Sequence, residues 1–235
     1  MAMANRYAAG GKMSRVLENR LFRPIRSASG DIDAAHQRRW PGRPVSWVSR
    51  LWLLLSSPGL RFMLMHRIAQ WLYLKRKSHK EYGWLWRVVL VPLWLLRCVI
   101  NMDTKSDIYY DCEIEQGVSF SDQGYIIFGA KRTGAGTVIG TRVTVGMSPA
   151  DKGRPEIGRN VWIGSDCMVY GAISIGDGAT LLPGTVLTKN IPPGVVMEGN
   201  PARLVLHGFD NSGLRGCPDS EVMRRLKMIR GAADV

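Results

Sequence analysis

Histidine and cysteine, the residues that most often carry acid–base, nucleophilic or metal chemistry, are few and widely scattered in this chain. The 235 residues contain four histidines, namely His36, His66, His79 and His207. They contain four cysteines, namely Cys98, Cys112, Cys167 and Cys217. Metal-binding cysteines usually occur in close pairs such as C-x-x-C, and the sequence has no such pair. We therefore expect no metal site and a reduced, cytoplasmic environment.

A repeat of six residues organises the second half of the chain. Between Ile157 and Pro192 the first place of each hexad is aliphatic: Ile157, Ile163, Val169, Ile175, Leu181 and Leu187. The fifth place is small or β-branched: Val161, Cys167, Ile173, Ala179, Thr185 and Ile191. Gly158, Gly164 and Gly176 follow the aliphatic residue, where we expect a tight turn. A strict period of six does not fit an α-helix and predicts a parallel β-helix, in which stacked coils bury the aliphatic ladder.

The same ladder extends towards the N-terminus with two irregularities. It begins with Ile108, Ile114, Phe120 and Ile126, slips by one residue around positions 131–136, and resumes at Ile139 and Val145. Residues 147–155 interrupt it with proline, glycine and charge, a composition that predicts a loop leaving the coil.

Basic charge and tryptophan are concentrated before the repeats. Residues 1–106 contain 19 Lys/Arg and 5 Asp/Glu, a net charge of +14, whereas residues 107–235 have a net charge of −1. Seven of the eight tryptophans lie in the first part. Arginine and tryptophan among aliphatic runs favour an anionic membrane surface as the partner of residues 45–100. No nucleic-acid-binding motif accompanies the charge, so we do not expect a nucleic-acid partner.

These patterns divide the chain into four parts. Residues 1–44 are predicted to be a basic flexible arm, in which positions 12–21 could form a short helix. Residues 45–106 are predicted to be a helical, membrane-facing segment. Its first, apolar helix stops at Pro58-Gly59, and an amphipathic helix follows from Leu60. Residues 84–100 are better suited to lie in the membrane plane than to cross the membrane. Residues 107–206 form the β-helix, and residues 207–235 a tail with an amphipathic helix over positions 220–229. Because no apolar stretch precedes a small-residue cleavage site near position 1, we do not expect these first residues to act as a secretory signal.

The hexads, the loop at 147–155 and the ending IPPGVVMEGNPARLV together resemble the hexapeptide-repeat acyltransferases. Within that family the chain is most similar to the serine-acetyltransferase-like branch, which includes acetyltransferases of bacterial cell-surface polysaccharides such as colanic acid. The resemblance covers residues 108–206 and extends weakly to RFMLMHRIAQWLY.

The resemblance implies a left-handed parallel β-helix, a homotrimer, and acetyl-CoA bound in the groove between two neighbouring β-helices. By position, Gly164 and Gly184 would allow the cofactor to approach the backbone, and Lys189 and Arg203 would bind its phosphates. Each has a structural alternative, since the glycines could serve only as corners and Lys189 only as a solubilising charge.

The catalytic pattern of the family is incomplete in this chain. Acetyl transfer needs a base to take the acceptor's proton, and the family places a histidine in a segment similar to D-H-G or P-H-Y-G. Here that segment is SDQGY (121–125), so Asp122 would act as the base and Gln123 would orient the acceptor. A second histidine of the family is replaced by Gly153-Arg154-Pro155. Two alternatives stay open: His207 or an N-terminal histidine of a neighbouring subunit reaches the groove, or the chain is a catalytically degenerate scaffold.

The sequence therefore predicts an acetyl-CoA-dependent O-acetyltransferase. Its expected acceptor is a saccharide, lipid-linked or polymerising, in bacterial cell-surface or exopolysaccharide synthesis. We expect the protein to be peripheral on the inner face of the bacterial inner membrane. The alternative is a trimeric scaffold or accessory subunit of a membrane polysaccharide-synthesis complex. A soluble small-molecule acetyltransferase, whose N-terminal segment only packs between subunits, is a third.

Overall fold

The computed structural model describes residues 24–78, Val91, Pro92, Leu95, Cys98, 105–149, 152–215 and Arg224. These residues build a parallel β-helix of five coils, with three α-helices at its N-terminal end and a tail that folds back along one face. The helices predicted over 12–21 and 220–229 fall outside the described residues, except that Arg224 is helical. Of 84–100, the four described residues are helical.

Three helices precede the coils: α1 (24–39), α2 (Trp47–Ser56) and α3 (Pro58–Ser78). A capping box between Ser46 and Ser49 starts α2, whose last turn ends before Pro58 as predicted. Proline lacks an N–H group and therefore suits the first turn of the next helix. No helix in the described part of the chain is both long and apolar enough to cross a membrane.

Helix α1 differs from the flexible arm predicted for residues 1–44. Its Asp31 and His36 are buried. Both oxygens of Asp31 are hydrogen-bonded to groups of α3 and the first coil, so this part of the arm is anchored by a buried ion pair that composition alone does not reveal.

Each coil contributes short strands to three flat faces. Face A consists of β1 (Asp107–Ile108), β4 (Ile127–Phe128), β7 (Thr144–Gly146), β10 (Met168–Tyr170) and β13 (Val186–Leu187). Face B consists of β2 (Glu113–Ile114), β5 (Arg132–Thr133), β8 (Glu156–Ile157) and β11 (Ser174–Ile175). Face C consists of β3 (Ser119–Phe120), β6 (Val138–Ile139), β9 (Trp162–Ile163), β12 (Thr180–Leu181), β14 (Val196–Glu198) and β15 (Arg203–Leu206). All strand pairs are parallel except β14–β15, which closes the C-terminal end.

The hexad ladder forms the core. All first-place and fifth-place residues predicted between Ile157 and Ile191 are buried. The irregularity lies elsewhere than expected, because Ile108 pairs with Phe128 rather than with Ile126. The corner after Phe120 is therefore two residues longer than a hexad, and Ile126 fills a corner position in the core. Thr133 then takes the next ladder place, five residues on, opposite Ile114.

The hexad glycines are explained by close packing between coils rather than by turn geometry. Gly158, Gly164 and Gly176 have no positive φ, but a Cβ atom on any of them would collide with the next coil. The left-handed conformation occurs two residues later, for example at Asn160 (φ 54°) and Asp166 (φ 60°).

Helix α3 closes the N-terminal end of the β-helix with polar side chains. The carbonyl groups of the first coil have no preceding coil to pair with, and a buried carbonyl without a donor is costly. Arg67 donates to the carbonyls of Ile114 (2.5 Å) and Glu115 (2.9 Å), and Gln70 donates to that of Cys112 (2.6 Å). From the sequence, Ile68 belongs to the apolar positions of this helix (Leu60, Met63, Leu64, Ile68, Trp71 and Leu72), and His66 and Arg67 lie elsewhere around it. In the structure His66 and Arg67 are buried, whereas Ile68 is exposed.

The tail covers the outer side of face C. Phe209 and Leu214 pack against Trp162, and the Nδ2 atom of Asn211 donates to corner carbonyls of Asn160 (2.8 Å) and Gly178 (3.1 Å). Face C is thus covered within one protomer, by the helices near its N-terminal end and by the tail further along.

Candidate functional site

A cavity of about 750 Å³ lies between the three helices and face C. Its walls include apolar side chains of α2 and α3, the outer residues of β3, β6 and β9, and Arg215 from the tail. Asp122 and Gln123, the residues predicted to be catalytic, line one end of this face-C cavity. The volume is that of a typical small-molecule site.

Asp122 and Gln123 occupy the lengthened corner after β3. The Oδ1 atom of Asp122 accepts hydrogen bonds from the Ser57 hydroxyl (2.6 Å) and from the Gly59 N–H (2.9 Å) at the start of α3. Because a Cβ at position 59 would collide with the Phe120 carbonyl oxygen, only glycine lets the helix approach this corner. Asp122 therefore has a structural role as an N-terminal cap of α3, which the sequence did not suggest.

The other carboxylate oxygen of Asp122 remains available for chemistry. Among the described residues, Oδ2 of Asp122 has no hydrogen-bond partner, and both Asp122 and Gln123 are exposed. A carboxylate with one oxygen fixed and the other open can accept a proton from a bound hydroxyl. Burial, which would strengthen such a base, is absent.

The histidines lie away from this corner. His36 and His66 are buried in the helical segment, where the ring of His36 packs at a tilt against that of Trp40, with the ring centroids 5.2 Å apart. His207 is exposed directly after β15, the sixth and last strand of face C. With strands spaced about 4.8 Å apart, five steps place the level of β15 roughly 24 Å from that of β3 and Asp122 in the same protomer. His79 lies outside the described residues.

The opposite end of the face-C cavity is cationic. Arg38 donates to the Gly117 carbonyl (2.5 Å), and Arg215 donates to the side chain of Asn160. Burial lowers the pKa of the Arg38 guanidinium; the charge of Asp31 opposes that shift and the charge of Arg215 adds to it. Sequence reasoning missed this pair because the two arginines are 177 positions apart and only the folded tail brings them together.

Asp31 offsets only part of the positive charge at this end, because its carboxylate is shared with Arg67. It pairs with Arg67 at 3.0 Å and accepts the Gly117 N–H at 2.7 Å. Burial raises the pKa of Asp31, while Arg67 and then Gly117 and Arg38 lower it. The net direction is upward because the pair is almost inaccessible to solvent.

The predicted cofactor residues lie mainly on one edge of the prism, the C–A corner, formed by the turns that lead from face C to face A. Gly164 and Gly184 occupy it in the third and fourth coils, where their N–H groups donate to Leu181 and Ser165 (both 2.9 Å). Gly164 is buried, whereas Gly184 is exposed and a Cβ at its position would meet nothing within 4 Å.

Arg203 and Lys189 stand at the C-terminal end of the prism. The turn before Arg203 packs on the fifth coil at the C–A corner, since Ala202 donates to Val186 (3.0 Å). Lys189 is exposed after β13, on the other edge of face A. One protomer therefore gathers three of the four residues along one edge, and the assignment of all four to the cofactor stays a prediction.

No side chain of the described coils forms an evident nucleophile or metal site. Burial raises the pKa of the Cys112 thiol to about 12, so this thiol stays protonated. Among the described residues, no three His, Cys, Asp or Glu side chains are placed to bind a metal ion.

The coils match known transferases. The model of the bacterial transferase hexapeptide (six repeats) matches residues 154–189. A serine acetyltransferase of Synechococcus elongatus is 28% identical over 187 residues, which cover 75% of this chain and 70% of that protein. A galactoside O-acetyltransferase of Escherichia coli is 45% identical over 49 residues, 21% of this chain and 24% of that protein.

The fold is that of a solved serine acetyltransferase. The crystal structure of the Neisseria gonorrhoeae protein superposes with a TM-score of 0.62 and 22% identity, covering 82% of this chain and 73% of that one. The superposition covers more of the chain than the coils alone and confirms the left-handed β-helix predicted from the hexads. The specific resemblance to colanic-acid acetyltransferases stays a prediction. The chain is thus similar to the hexapeptide-repeat transferases, in its repeats over residues 154–189 and in its fold.

Proposed function

We propose that this protein is an acetyl-CoA-dependent acyltransferase that acetylates a hydroxyl group of a saccharide. The observation that carries the proposal is the match of its coils to the hexapeptide repeat of transferases, together with similarity to two acetyltransferases whose named acceptors are serine and a galactoside. Both acceptors offer a hydroxyl, and the galactoside is a saccharide.

A homotrimer that associates through face A would complete the site. The outward residues of face B are charged or polar, such as Glu113, Arg132 and Glu156. Face C is covered by the protomer's own helices and tail. Face A instead presents Ile127 and Met168, which are 52% and 43% exposed, and large exposed apolar residues on one face favour association. The C–A corner would then border the groove between protomers.

Acetyl-CoA would supply a thioester whose carbonyl carbon is attacked by the acceptor hydroxyl and whose sulfur leaves as the thiol. In this proposal Gly184 and Arg203 bind the cofactor along the C–A corner, and Lys189 meets its phosphates from the other edge of face A. Oδ2 of Asp122 accepts the hydroxyl proton and returns it to the departing sulfur, and the Gln123 amide orients the acceptor.

Catalytic degeneracy is the second candidate. It is favoured by the absence of histidine from positions 80–206 and by the structural use of Asp122 at the start of α3. In that case the trimer would act as a scaffold or accessory subunit of a membrane polysaccharide-synthesis complex.

We further propose that the protein is cytoplasmic and peripheral on the inner membrane surface. The support is helix α2, in which Trp47, Val48, Leu51 and Leu55 are 77%, 54%, 49% and 70% exposed. Such a helix can lie in the headgroup layer, with its basic surroundings facing anionic lipids. A lipid-linked saccharide would be presented at the same surface.

The deciding experiment is release of free thiol from acetyl-CoA, measured with purified protein and a panel of saccharide acceptors. We expect acceptor-dependent release, reduced at least about a hundredfold by Asp122→Asn, within the usual contribution of a general base. Glu156→Gln, which removes an exposed carboxylate on face B, serves as the control. Full activity of Asp122→Asn would refute the assigned base, and no release with any acceptor would favour the scaffold.

A further inference from the structure

The face-C cavity has an excess of positive charge at one end. Arg38, Arg39 and Arg215 line it, against the carboxylates of Asp31 and Asp122. Asp31 is already paired with Arg67, so three guanidinium groups face one open carboxylate. None of the three forms an ion pair with a carboxylate among the described residues. The nearby carboxylate of Asp210 instead accepts hydrogen bonds from the backbone N–H and the hydroxyl of Ser212. These hydrogen bonds are the main cause of the lowered pKa of Asp210, and the charge of Arg215 is the smallest cause.

The fold holds Arg38 and Arg215 together. Arg38 is fixed on the first coil by its bond to Gly117, and Arg215 on the third by its bond to Asn160. The Nε atom of Arg215 is buried without a hydrogen-bond partner in the described part of the chain. The two guanidinium groups line the same cavity, where their like charges repel each other and a bound anion would offset that repulsion. Planar guanidinium groups match the oxygens of a phosphate.

The middle of the cavity is apolar. Leu53, Leu60 and Met63 face the outer residues Val138 and Trp162 across it. Free phosphate would leave this surface unused, whereas a phosphate joined to an apolar group would bury it. The far end carries Ser121, Asp122 and Gln123, which are polar.

We propose that the face-C cavity binds a phosphate ester with an apolar substituent, its phosphate between Arg38 and Arg215 and its apolar part against Leu53 and Trp162. The site lies within one protomer. Its phosphate end lies beside the turns that lead into face C, whereas its Asp122 end lies at the first-coil turn of the C–A corner, along which the cofactor is proposed to bind. Its identification as the acceptor site rests on the proposed function, through Asp122; the binding itself does not.

The test uses the full chain and three probes in isothermal titration: n-octyl phosphate below its micellar concentration, inorganic phosphate, and n-octyl glucoside. We expect n-octyl phosphate to bind at least about tenfold more tightly than either of the others, because only it satisfies both ends. Equal affinity for inorganic phosphate would mean a simple anion site, and equal affinity for the glucoside a merely apolar one; either result would overturn the proposal.

Two arginine variants and one control locate the site. Arg38→Gln and Arg215→Gln should each weaken n-octyl phosphate binding about tenfold to a hundredfold, and Arg76→Gln, an exposed arginine on α3, should leave it unchanged. Arg215 lies in the tail, so its variant decides the matter if loss of the Gly117 bond prevents Arg38→Gln from folding. Unchanged binding in Arg215→Gln with an unaltered thermal melt would contradict the site.

Titration of acetyl-CoA with the same variants separates the two proposals. If acetyl-CoA binds and is consumed while n-octyl phosphate does not bind, the cavity proposal fails and the transferase stands. If n-octyl phosphate binds and acetyl-CoA does not, the transferase fails and the cavity stands.

Discussion

Replacing Arg67 with methionine should destabilise the protein far more than an ordinary loss of an arginine. The side chain is 2% exposed and pairs with Asp31, which is 1% exposed. It also donates to the carbonyls of Ile114 and Glu115. Methionine fills a similar volume but supplies no donor, so a buried carboxylate and two carbonyls lose their partner. Breaking a buried pair from one side costs about 3–5 kcal/mol.

The control is Arg142→Met, which removes an equally well-formed but exposed pair. Arg142 bonds to both oxygens of Asp166 at 2.5 and 2.7 Å, with the side chains 60% and 48% exposed. Exposed pairs contribute about 0–1 kcal/mol. Urea unfolding followed by circular dichroism gives both free energies. If the two variants cost the same within about 1 kcal/mol, Arg67 does not close the N-terminal end as described.

The pH dependence provides a second readout of the same pair. Burial already raises the pKa of Asp31 in the folded protein, and removing Arg67 would raise it further. A raised folded-state pKa means that stability is greatest below the unfolded-state pKa and falls as pH rises through the folded-state value. The loss in free energy of unfolding caused by Arg67→Met should therefore become smaller as the pH is lowered from about 7 towards 4. A cost that grows on acidification would contradict a buried carboxylate at this position.

Three further predictions concern other parts of the molecule. Gly59→Ala should lower the free energy of unfolding by about 1–3 kcal/mol, because the new Cβ would collide with a carbonyl of the first coil. Gly146→Ala, whose Cβ would meet nothing, should change that free energy by less than about 0.5 kcal/mol in urea unfolding. Equal losses in the two variants would contradict the close approach of α3 to the first coil. A hydrogen bond from Arg132 lowers the pKa of Glu115. Glu115→Gln should therefore lower the free energy of unfolding by about 1 kcal/mol at neutral pH, and the effect should vanish once the pH falls below the folded-state pKa. A loss of stability that persists in acid would refute this prediction. Met168→Glu on face A should give monomers in light scattering, while Ser174→Glu on face B should not; the reverse outcome would place the association face elsewhere.

The coils could be predicted from the sequence because each hexad repeats the same packing. The ladder from Ile157 to Leu187 is buried as its aliphatic first places require. The displaced register near Ile126 could not be located, because Ile126 and Phe128 are both apolar and both buried. Only the pairing of Ile108 with Phe128 distinguishes them.

The site was less predictable because its parts meet through contacts distant in sequence. Asp122 was identified from its place in a family motif, but its bonds to Ser57 and Gly59 were not. Helical periodicity placed Arg67 on a polar face, yet the unpaired carbonyls of the first coil draw it inside. The need of these carbonyls for a buried donor can be inferred only once α3 is known to cover the open end of the β-helix.

The most direct test of the transferase proposal is isothermal titration of the purified protein with acetyl-CoA and with CoA. We expect saturable binding in the micromolar range, weakened at least about tenfold by Arg203→Gln or Lys189→Gln and unchanged by Arg132→Gln on face B. Absence of binding at millimolar cofactor would contradict the proposal and leave the protein better described as a scaffold.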